Sequence, residues 1–115
     1  MDEKPLQLLE ELHYIYRINM KIDLTKLKVQ PSLLEEPKEI DVHDVVADLI
    51  WKDCAREDIQ KANFALKLLN SKGELEINST EAGYIMSVTS VMKYWLAKAL
   101  EEAVIPKMDK SENNS

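Results

Sequence analysis

The chain has 115 residues, enough for one hydrophobic core and little more. Apolar residues make up 45% and charged residues 31%, which excludes wholesale disorder. Only Gly73 and Gly83 are available for the positive-φ turns that all-β and phosphate-loop architectures need. The net charge of -6 works against a polyanionic partner, because nucleic-acid affinity rests on Lys and Arg neutralising phosphates.

That charge is unevenly spread. Glu35 to Asp58 holds nine acids against Lys38, Lys52 and Arg56, whereas Arg17 to Gln30 holds Arg17, Lys21, Lys26 and Lys28 against Asp23. An electrostatic partner therefore meets the acidic segment. Cys54 is the only cysteine, so no intrachain disulfide forms, in keeping with the cytoplasm. No apolar run approaches the roughly 20 residues that cross a bilayer, and no secretory leader is evident.

In chain order, Pro5 suits a first helical turn, and Leu6, Leu9, Leu12 or His13, and Tyr16 repeat at helical spacing, which predicts a helix over 5–17. Residues 1–19 are read as this helix or an extension, and Met20 is an alternative start of the product. In Lys21 to Val29, Ile22 and Leu24 lie on one parity and Leu27 and Val29 on the other. The segment is thus two extended pieces, or one strand bulged near Thr25. Pro31 and Pro37 bracket a loop whose Leu33 and Leu34 are expected to tack it to the core.

Asp41 is the expected N-cap of a helix carrying Val42, Val45 or Val46, Leu49, Ile50 and Cys54, with Asp44 and Asp48 on its outer face. A short break at Arg56-Glu57-Asp58, with one helix running through as the alternative, is read before a second helical segment from Asp58 or Ile59 to Asn70. Gly73 then supplies a left-handed stop. Glu74-Leu75-Glu76-Ile77 alternates as a short strand, the natural partner for 22–29. Asn78 to Glu81 offers cap oxygens and an early acid for one long helix, Thr80 to about Ile105, stopped by Pro106 and followed by a flexible polar tail over 107–115. The expected fold is mainly α with a small two-stranded β-ribbon (α+β), three to four helices and a single domain over 20–106.

Chemistry-bearing residues are sparse. Asp41, His43, Asp44 and Asp48 are the one metal-like group, but no second His or paired cysteine completes a ligand spacing, and acids at a helix start are explained by the helix dipole. His13 has no acid fixed beside it. Cys54 lies 11 residues from His43, about 16 Å along a straight helix, and is expected to be buried as a small apolar residue. Glu101 and Glu102 are adjacent on a helix, face different ways and form no carboxylate dyad. No phosphate loop, dinucleotide fingerprint or nucleophile elbow is present. No catalytic residue, cofactor or metal is expected.

Trp51, Trp95, Met86, Met92, Tyr84 and Tyr94 fit a core at helical spacing, with partner binding the alternative. On a single helix, Tyr84 to Leu96 would be apolar over more than half the circumference. Tyr84, Val88, Val91, Met92, Trp95 and Leu96 are accordingly the expected interaction residues.

Through Lys21-Ile22-Asp23-Leu24, Asp48-Leu49-Ile50, and Gly73 to Ile77 leading into Thr80-Glu81, residues 20–105 resemble small proteins of uncharacterised role encoded in phages and other mobile elements. The resemblance implies a cytoplasmic helper or regulator and carries no catalytic residue across. The function expected is a non-enzymatic protein–protein interaction module that forms a homo-oligomer, its acidic segment steering a basic partner. One alternative is a DNA-associated, winged-helix-like regulator in which Lys61, Lys67 and Lys72 meet Lys21, Lys26 and Lys28. A further alternative is a small enzyme using His13, His43 or Cys54.

Overall fold

The computed structural model describes residues 19–113, with side chains as far as 106. The expected helix over 5–17, and His13 with it, lies outside the described residues. Among these residues are four short strands, β1 (Met20–Ile22), β2 (Leu27–Val29), β3 (Lys38–Ile40) and β4 (Leu75–Ile77). The helices are α1 (His43–Lys52), α2 (Ile59–Leu69), α3 (Ser79–Ser87) and α4 (Tyr94–Asn113), with a 3₁₀ turn at Thr89–Val91. The α+β class is as expected, but two ribbons stand where one was expected.

β1 pairs antiparallel with β4, Met20 opposite Ile77 and Ile22 opposite Leu75, which is the anticipated partnership. β2 instead pairs with β3, Leu27 opposite Ile40 and Val29 opposite Lys38. The parity change near Thr25 is a turn: the Asp23 carboxylate accepts from the Thr25 backbone N–H at 3.0 Å and from its hydroxyl, and Lys26 N–H donates to the Asp23 carbonyl. This Asx turn ends one strand and starts the next on the other parity. β3 escapes sequence reading because only Ile40 of its three residues is even partly buried.

The break after α1 is real, and Asp58 sits at the N-cap of α2. Its carboxylate accepts from Ala55 N–H at 2.8 Å rather than from its own helix. At α1 the N-cap is Val42, one residue later than expected, because Asp41 turns its carboxylate to the backbone N–H and ring of His43. Gly73 is not left-handed: no glycine has positive φ among the described residues, and Asn70 closes α2 with its side-chain amide on the Leu66 carbonyl. Asn78 and Glu81 form a capping box at the start of α3, each side chain meeting the other's backbone N–H at 2.8 and 3.0 Å.

The expected single helix over 80–105 is two helices. Between them the Ser87 hydroxyl donates to the Tyr84 carbonyl at 2.7 Å and the Thr89 hydroxyl to the Met86 carbonyl at 2.8 Å. Such back-bonding competes with the helical ladder, and the β-branched Val88, Thr89 and Val91 add to the strain on continuing it. Met92 is extended, and Lys93 then accepts the first bonds of α4 from Leu96 and Ala97. Pro106 does not stop α4, which runs on to Asn113: proline removes one bond to the carbonyl four residues earlier, and the helix resumes beyond it.

The core joins Ile22, Leu27 and Val29 from the ribbons to Val46, Ile50, Phe64, Leu68, Ile85, Leu100 and Val104 from the helices. α1 packs against α2, α3 touches α1, α2 and α4, and α4 lies across β1 and β2. No helix among the described residues is long and apolar enough to cross a membrane.

Candidate interaction surfaces

The helix break redistributes the six expected interaction residues. Val88 is buried in the core, and the Tyr84 ring packs on Phe64 with centroids 5.9 Å apart, so these two hold α3 in place. Met92, Trp95 and Leu96 are partly buried against the core, and Val91 is 71% exposed. The wide apolar face belongs to two helices with different orientations, one burying Ala82, Ile85 and Val88 and the other Ala99, Leu100 and Val104.

Trp95 lines a cleft of about 790 Å³ between α4 and the loop 30–37. Leu27 and Val29 contribute from β2, Ala99 and Ala103 from α4, and Pro31 and Pro37 from the loop. Tyr94, 78% exposed, stands at one end. Lys28, Lys98 and Glu102 supply its charged groups. The loop itself departs from expectation: Leu33 and Leu34 do not tack it to the core but are 93% and 96% exposed. Ser32 caps the turn locally through its hydroxyl, which accepts from Leu34 N–H at 3.2 Å, and Leu33 stands at the rim of the cleft.

A second apolar surface lies on the α1–α2 pair. Ala47 and Ala65 form the floor of a trough of about 240 Å³, walled by Trp51, Leu66 and Leu69 and bordered by Asp48. Trp51 is 50% exposed there, and Leu66 and Leu69 are similarly open. Helical spacing gave Trp51 the same signal as core residues, because periodicity does not say which neighbour covers a face.

Among the described residues, the titratable groups form no convergent site. Asp41, His43 and Asp44 bring their ligand atoms within 4.8 Å of one another, but Asp41 is engaged with His43 and Asp44 accepts from Val45 N–H. That contact with the His43 ring, more than any other influence, holds the Asp41 carboxyl below its usual range. Asp48 pairs with Lys52 at 2.9 Å instead of joining them. Cys54, partly buried, donates its thiol to the Ile50 carbonyl at the far end of α1 from His43, so the two are not brought together. Desolvation pushes the Cys54 thiol up, against the pull of Lys61. Among the lysines of the winged-helix reading, Lys61 is held by Asp53 and Lys67 by Glu81 and the Glu76 carbonyl. Glu101 and Glu102 are exposed.

The chain matches no protein-family model, no curated protein and no solved structure.

Proposed function

We propose that this chain is a non-enzymatic protein-interaction module that self-associates through the cleft between α4 and the loop 30–37. The supporting observation is self-complementarity within one patch. Leu33-Leu34-Glu35-Glu36 forms an apolar, acidic tip that projects beside an apolar cleft carrying Lys28 and Lys98. A two-fold interface presents the same patch from both copies, so each tip enters the other copy's cleft. Leucines over Trp95, Ala99 and Ala103 would leave water together, and Glu35 and Glu36 would meet the two lysines. Of the expected interaction residues, Trp95 lines this cleft, and Val91, Met92 and Leu96 belong to the neighbouring bend. The role fits a cytoplasmic helper or regulator of the kind that mobile elements encode.

Light scattering across a concentration range tests this reading. The wild-type mass should rise toward that of a dimer, and Leu34→Glu should remain a monomer with an unchanged circular dichroism spectrum. A wild-type chain that stays monomeric at every concentration would refute it.

A further inference from the structure

We propose a second binding surface, the trough on the α1–α2 pair, and assign it a basic amphipathic helix from a partner protein. At about 240 Å³ the trough is smaller than the roughly 300–1,000 Å³ typical of small-molecule sites and suits one or two large apolar side chains. Its floor of alanines lets a partner's side chain descend between the two helices, and Trp51 is the residue type that most often anchors such contacts.

The shape calls for a helix. Ile59, Ala62, Leu66 and Leu69 fall at i, i+3, i+7 and i+10 along α2, the seam spacing by which one helix receives another. Ile59 is largely exposed and Ala62 partly so, which extends the apolar line from the trough toward the start of α2. On α1, Asp44, Asp48 and Trp51 follow at i, i+4 and i+7, so two carboxylates run beside that line.

The charge calls for a basic partner. Asp41 to Asp58 holds six acids against Lys52 and Arg56. The neighbouring lysines of α2 are occupied elsewhere, Lys61 with Asp53 and Lys67 with Glu81. The exposed Asp48–Lys52 pair is of the kind that contributes little, so a partner's lysine or arginine displaces it at small cost.

The test uses the full chain and a fluorescently labelled peptide of Leu and Lys, about four helical turns long, with leucines at i, i+3 and i+7. Two controls accompany it: the same composition scrambled to remove the apolar face, and the same pattern with Glu in place of Lys. Fluorescence anisotropy should show saturable binding of the first peptide alone, with a gain in helical circular dichroism. Trp51→Ala and, independently, the exposed Leu66→Lys should each weaken it by about tenfold or more. The Leu34→Glu chain should bind as wild type, which separates this surface from self-association. Equal binding of the scrambled peptide would reduce the effect to charge attraction and overturn the proposal. So would binding that survives both folded variants, or a Trp51→Ala chain that loses self-association instead.

Discussion

The cleft beside α4 and the trough on the α1–α2 pair both present aromatic and aliphatic side chains to solvent, yet their borders carry different charge. Lys28 and Lys98 border the cleft together with one opposite charge, Glu102, whereas Asp48 borders the trough with Asp44 one turn away. Apolar area supplies attraction without discrimination, and the surrounding charge selects the partner. An acidic tip next to the basic cleft favours a second copy; a trough in an acidic segment favours something basic. The comparison also separates their origins. The trough arises from two regular helices whose crossing residues are small, and the cleft arises from a broken helix lying over a ribbon that carries a protruding loop.

The contrast fails if these faces are merely weak parts of the core, and stability measurements decide that. Leu100 is fully buried, so Leu100→Ala should cost about 2–5 kcal/mol in chemical denaturation. Leu33→Ala should change stability by no more than about 0.5 kcal/mol, because the side chain is already in water. A large loss from Leu33→Ala would mean that the loop packs on the cleft of its own chain.

Charge exchange sharpens the comparison further. Reversing Glu35 and Glu36 to lysine should weaken self-association and leave binding of the basic peptide almost unchanged. Reversing Asp44 and Asp48 to lysine should do the opposite, slowing peptide association about tenfold at low salt and less at high salt. Stopped-flow mixing at two ionic strengths reads the second effect, and light scattering the first. Both pairs acting on both assays would show that only total charge matters.

The α1–α2 pair was nearly legible in the sequence, and the closing region was only half so. Apolar spacing located both helices, since each carries one buried stripe, but it left a break and a continuous helix both open at Arg56, and the expected caps Asp41 and Gly73 are not the ones used. Asn78 and Glu81 did mark the start of α3, through their capping box. Its end was hidden: the apolar letters continue through Val88, Val91 and Met92 in helical register, while the hydroxyls of Ser87 and Thr89 interrupt the backbone beneath them. Spacing counts side chains and does not register that competition. The β2–β3 ribbon was missed because Lys38 and Glu39 carry no apolar alternation. Leu33 and Leu34 were assigned to the core on residue type alone, and Trp51 on helical spacing, neither of which reports what lies opposite.

The smallest expected effect concerns Lys61, whose attachment to Asp53 keeps its charge away from the trough. The hydrogen bond that the Lys61 ammonium donates to Asp53 raises it above its ordinary 10.5, against the opposing pull of desolvation, and Cys54 and Asp58 add to the rise. A cation favoured in the folded state contributes stability that is complete below the unfolded value and disappears as pH rises through the folded one. Stability should therefore fall slightly above pH 10.5, by less than about 1 kcal/mol because Asp53 is half exposed. Cys54 acts in the same direction from a lower pH, since its thiol is also raised and its proton is bound more tightly in the folded chain. Urea denaturation in Cys54→Ala and Asp53→Asn separates the two, the first removing the earlier loss and the second the later. Asp53→Asn also takes one carboxylate from the acidic segment, so basic-peptide binding at neutral pH should weaken less than in the Asp44 and Asp48 reversal. An equal or greater loss would place the partner's charge nearer Asp53 than α1, and move the trough's border accordingly.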